Sequence, residues 1–184
     1  MELRINNSQA RKSIETCFFE LNKISGLIEL LGGTSHPAPY LTRYSVIKAC
    51  GTIEFSFKTI ISDHQYSDHS EQVRRFIDEK FRNSSMNPSY ENICKSLKSF
   101  DETWCTNFKN TISTNIHKLR LLDSLKSLNT ARNEFAHGQS PTTSFASVQT
   151  YFTDCVEIIQ IMEDVIIGGE RVNAEIEDEG ITTT

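Results

Sequence analysis

The hydrophobic period limits this chain more than any other feature. Over most of its 184 residues apolar side chains recur every three or four positions, which is the spacing of one helix face. No segment alternates as a half-buried strand does. Eight glycines and four prolines are too few to punctuate a series of short strands, and no internal repeat stands out. The spacing predicts an all-α protein, an antiparallel up-and-down bundle of five to six helices.

The first helix is expected from about Ser8 to Leu31, with Ile14, Cys17, Leu21, Ile24, Ile28 and Leu31 in line and Gly32-Gly33 as its stop. The second runs from about Pro39 to Ser62, and the polar segment Ser62 to Ser70 then reads as a connection. The third covers about Asp68 to Arg82, with Val73, Phe76, Ile77 and Phe81 inward, and NSSMNPS follows as a loop. From Tyr90 to Ile112 the spacing fits two short helices or one kinked helix, with Asp101 as a cap for a restart. The last two helices span about Lys118 to Ala136 and about Ser144 to Ile167. Residues 170–184 are acidic and end in threonines, and they read as a disordered tail on a domain of residues 1–169.

Charge and cysteines narrow the function classes. Of 24 acids and 19 bases, five acids and one base fall from Glu170 onward, which leaves 19 against 18 in the body. A near-neutral body does not hold long duplex DNA by charge. No apolar run approaches the ~20 residues of a membrane span, and MELRINNSQARKS lacks the apolar stretch of a secretory leader. Five cysteines, Cys17, Cys50, Cys94, Cys105 and Cys155, contain no CxxC pair. They read as reduced thiols of a cytoplasmic protein, not as a zinc site.

Two charges fall on apolar stripes. Arg132 continues Leu121, Leu125 and Leu128 towards Phe135, and Glu54 continues Ile47 and Cys50 towards Phe57 and Ile61. Burying either charge alone is costly, so the two are expected to meet or to line one polar cleft. Gly51, one turn before Glu54, points to close approach of another backbone. Beyond Arg132 the sequence continues Asn133-Glu134-Phe135-Ala136-His137-Gly138. An arginine fork binds phosphate, and a histidine at an exposed helix end can move a proton near neutral pH. Five residues separate Arg132 from His137, about 140° on a helix. For both to serve one site, the last turn must unwind near Ala136 or two copies must share the site.

Arg132-Asn133-Glu134-Phe135-Ala136-His137 resembles the R-(N/D/H)-X-X-X-H form of the R-X4–6-H motif of HEPN domains. These are small helical bundles found in prokaryotic toxin–antitoxin, CRISPR and anti-phage systems and in some eukaryotic ribonucleases. The helix VIKACGTIEFSF, Val46 to Phe57, is similar to the RiboL-PSP-like branch, in which an early helix carries a Glu. The resemblance implies a metal-independent, cofactor-free endoribonuclease acting as a homodimer, a toxin or defence effector with a cognate antitoxin or defence-system protein as possible partner. It implies that Arg132 binds the scissile phosphate, that His137 is the general base or acid, and that Asn133 bonds the phosphate or orients the histidine. Glu54 is expected to position Arg132, an inference from the facing stripes. One departure stands out: members paired with a nucleotidyltransferase usually carry H-X-Y, whereas His137 is followed by Gly138 and Gln139.

Lys118, Arg120 and Lys126, on the motif helix, are candidates for RNA contact. Asp63-His64 and Asp68-His69 read as loop and cap residues rather than metal ligands, and Trp104, Phe100 and Phe108 as core or dimer interface. The rival reading is a non-catalytic helical interaction module. It requires Arg132 sealed in the core.

Overall fold

The computed structural model describes residues 3–33, 35–66, 69–139 and 142–179, with side chains to residue 168. Among the described residues there are helices and no strands. They are α1 (Ser8–Leu31), α2 (Ala38–Tyr66), α3 (Glu71–Ile77) with a π-helical turn at Asp78–Arg82, α4 (Tyr90–Phe100), α5 (Glu102–Thr114), α6 (Lys118–Ala136) and α7 (Phe145–Glu179). The count is seven rather than five to six because the Tyr90-to-Ile112 stretch resolves into two helices. Asp101 makes the break: its carboxylate accepts from the backbone N–H of Thr103 (2.6 Å) and Trp104 (3.1 Å), which caps α5 and ends the α4 ladder. At the other end of the chain, the backbone of α7 continues beyond Ile167 to Glu179.

Two helices organise the bundle. α2 packs against α1, α6 and α7, and α7 against α2, α5 and α6. α7 buries Val148, Phe152, Cys155, Val156, Ile158, Ile159, Met162 and Ile166, more than one stripe, as a central helix must. Fully burying a side chain such as Phe152 contributes about 2–3 kcal/mol. All five cysteines are free and buried. Burial pushes the Cys17 thiol up to about 11 and the Cys50 thiol up to about 12. Trp104 and Phe108 lie in the core, and Phe100 packs against it.

α7 also carries buried polar side chains that fasten the N-terminal segment. Glu163 accepts from the backbone N–H of Asn6 (2.6 Å) and Asn7 (2.7 Å), and Gln160 from that of Arg4 (2.8 Å). Ile5 is thereby seated in the core. The Asn7 side chain caps α1 at Ala10 (2.9 Å) and donates to Asp63 (2.8 Å).

Three local expectations are corrected. α2 runs on through Asp63 and His64, which are therefore helical and not loop residues. Asp63 pairs with Arg82, and His64 packs edge-on to Trp104 at 4.8 Å between ring centroids. Asp68 lies outside the described residues. In α3, Ile77 and then Phe81 are buried, but Val73 and Phe76 are exposed. Burial thus begins at the end of α3 and continues through the π turn, where Phe81 joins the core. Gly51 faces open space: a Cβ placed there would meet nothing within 4 Å, so the glycine marks no close backbone approach.

Candidate active site

α6 approaches the bundle through Leu121, Ser124, Leu125, Leu128, Asn129 and Ala131. Ala131, not Arg132, is the residue that faces inward, and Phe135 is 37% exposed. The expectation of Arg132 at the stripe's centre is thus corrected by a rotation of the buried face, which leaves Arg132 half-buried at its edge. The same rotation occurs on α2. Ile47 is 40% exposed, while Val46, Ala49, Cys50, Ile53 and Phe57 form the buried face, so Glu54 also lies at the border.

The two charges do not pair with each other. Glu54 accepts from the Lys58 ammonium (3.1 Å) and from the backbone N–H of Met86 (2.8 Å). Lys58 is nearly buried and also donates to the Ser84 carbonyl. Glu54 therefore holds the loop of residues 83–89, and the expected direct contact with Arg132 is replaced by a bridge through that loop. From its far side, Asn129 donates to the Pro88 carbonyl (3.1 Å) and Asn87 donates to the Asn133 side-chain oxygen (3.0 Å). Cys50 closes the floor, its thiol against the Asn129 oxygen at 3.7 Å. Burial dominates the raised value of Cys50, with Arg132 pulling it down and Glu54 pushing it up.

Arg132 donates to the Asn133 oxygen at 3.3 Å. Among the described residues no carboxylate lies within ion-pairing distance of it. Helix α6 does not unwind before His137, since the His137 N–H still bonds the Asn133 carbonyl (3.0 Å). Termination follows at once. Gly138 takes a φ of 77°, its N–H returns to Phe135, and that of Gln139 to Glu134 (2.9 Å), the paired bonds of a glycine-ended helix. Regular helix up to this point keeps Arg132 and His137 about 140° apart. Asn133 stands between them, about 100° from the first and about 40° from the second. His137 is exposed, and its ring makes no hydrogen bond among the described residues.

The candidate RNA-contact residues differ in setting. Arg120 is held by Asp154 (3.3 Å) and Glu157 (3.0 Å) of α7. Lys118 lies about 20 Å along the helix axis from Arg132, whereas Lys126 is exposed within about 20° of the Asn133 azimuth and about 10 Å away along the axis. Sequence reasoning missed Asn87, Asn129 and Lys58. The signals were present: Asn129 precedes Asn133 by four residues on one helix face, and Lys58 follows Glu54 by four. No group of three or more His, Cys, Asp or Glu side chains able to hold a metal occurs among the described residues. No described helix is long and apolar enough to cross a membrane.

A helical bundle with an Arg-Asn-X-X-X-His segment closing an exposed helix end defines a HEPN domain. The family model described as RiboL-PSP-HEPN matches residues 7–168, and the chain belongs to that family. HEPN domains commonly act on RNA and dimerise. Comparison with curated proteins and with solved structures gave no match.

Proposed function

We propose that this protein is a metal-independent endoribonuclease whose active site is assembled from two copies of the chain. The observation that carries this reading is the pairing of a half-buried arginine, with no carboxylate partner among the described residues, with an exposed histidine five residues further along the helix. The side chains diverge on a helix that stays regular. Their positions about 140° apart on the helix favour convergence on one phosphate across two copies over convergence within one. Across a two-fold axis, Arg132 of one subunit can face His137 of the other.

In this mechanism Arg132 and Asn133 bind the scissile phosphate with charge-assisted and amide hydrogen bonds. His137 takes the proton of the ribose 2′-OH as its oxygen attacks phosphorus. The P–O5′ bond breaks, and the protonated imidazole returns its proton to the leaving oxygen, giving a 5′-OH end beside a 2′,3′-cyclic phosphate. No water or metal enters the step. DNA lacks the attacking hydroxyl and is not cleaved. Lys126 contributes to RNA contact. We place the protein as a toxin or effector of a bacterial toxin–antitoxin or anti-phage system, neutralised by a cognate partner.

The test is incubation of the purified protein with total RNA and tRNA in EDTA, followed by end-group analysis. Cyclic-phosphate and 5′-OH ends that vanish with His137→Ala are expected. Intact RNA would instead leave a non-catalytic interaction module, and fragments that persist at the wild-type rate with that variant would overturn the role of His137.

A further inference from the structure

We propose that Asn87 is a positioning residue for this reaction, fixing the Asn133 carboxamide so that its N–H groups face the phosphate. The inference rests on the ribonuclease reading and deepens it. Arginine can only donate hydrogen bonds, so the Asn133 atom facing Arg132 at 3.3 Å is its oxygen. The Asn87 atom 3.0 Å from that same oxygen must then be its nitrogen. Two donors converge on one acceptor, and the Asn133 NH2 group occupies the other arm of the planar carboxamide, directed away from both.

The orientation of Asn87 has a local cost that identifies its purpose. Its own side-chain oxygen is buried without a hydrogen-bond partner, an arrangement that folded proteins generally avoid. Rotating the amide to change this would set two acceptors, the Asn87 and Asn133 oxygens, against each other. Asn133 therefore dictates the rotamer, and the surroundings enforce it. The Asn87 backbone carbonyl accepts from the Asn92 side chain (2.8 Å) and from the Ser89 N–H (2.8 Å). Residues on either side are held by Glu54, through Met86, and by Asn129, through Pro88. Anchors on α2, α4 and α6 thus aim one amide at Asn133. A loop that only needed closing would not need that aim.

The test is Asn87→Asp, which preserves volume but presents an acceptor to the Asn133 oxygen. Two readouts separate the outcomes. In 15N-labelled full-length protein, the Asn133 side-chain amide signals should shift on substitution while the backbone spectrum keeps its dispersion. In cleavage assays kcat should fall about tenfold or more, as misplaced groups typically cause, with KM within about twofold. On an Asn133→Ala background the same substitution should cost nothing further. Asn87→Ala, which introduces no new charge, should show the same dependence on Asn133. Unmoved Asn133 amide signals, or equal losses on both backgrounds, would overturn the positioning role. Absence of cleavage by the wild-type protein would overturn the ribonuclease reading alone, and the amide spectrum would still decide the part played by Asn87.

Discussion

Arg120 and Arg132 lie on the same helix and do opposite things. Arg120 is tied across to Asp154 and Glu157, and Asp154 also accepts from Ser124 at 2.6 Å, so the start of α6 is stitched to α7 with its charges matched. Among the described residues Arg132 has one neutral acceptor and no acid. The carboxylate nearest in expectation, Glu54, is committed to Lys58 and Met86. Where every polar group finds its complement the network is structural. Where a cation is left with unspent donors, the complement in the proposed mechanism is an external phosphate.

The contrast can be broken most directly at the open end. His137→Ala and Arg132→Ala should each lower RNA cleavage by about 100-fold or more with melting temperatures unchanged. Mixing the two inactive variants should restore cleavage, because a mixed dimer contains one pocket with its arginine and histidine intact. Failure to complement would place both residues of each pocket in one chain. Next in size, Glu54→Gln should lower stability by about 2 kcal/mol, since Lys58 is left with little compensation, and activity should fall with it as residues 83–89 loosen. Denaturant melts and cleavage rates would check both.

The buried thiols predict an alkaline limit. Cys17 and Cys94 are raised from 9.0 to about 11, and Cys50 to about 12, chiefly by burial. The folded chain keeps these protons where the unfolded chain releases them. Stability is thus complete below about pH 9 and is lost as pH rises towards 11, seen as a melting temperature that falls by several degrees over that window. At the closed end of α6, Arg120→Ala should cost about 1 kcal/mol and leave cleavage at the wild-type rate. EDTA should change neither property, and a loss of activity would return attention to metal chemistry.

Much of the fold was legible because helix periodicity is set locally, and α1, α6 and the Asp101 cap needed only their own residues. The site was half legible. Arg132, Asn133 and His137 stand together in sequence, and the structure brings Arg132 and Asn133 into contact while His137 lies about 140° from Arg132 around the helix. Their environment did not follow from stripes, since the core face near a helix end is chosen by what packs there. Ala131 took the interior position and left Arg132 at the edge, where Asn133 meets the polar loop of residues 83–89. The contribution of Asn87 was hidden for the same reason: nothing local in NSSMNPS says which helix its amide will meet.

Gly138 carries a last consequence. Its φ of 77° is a conformation that residues with a Cβ adopt only at about 1 kcal/mol or more, although no neighbour crowds the position. The residue bearing no side chain therefore fixes where the chain leaves the helix that ends in His137, and with it the room beside the imidazole that the proposed two-copy site would need. Gly138→Ala is then a purely geometric lesion, expected to leave RNA affinity intact while slowing turnover, with every reactive group still in the chain.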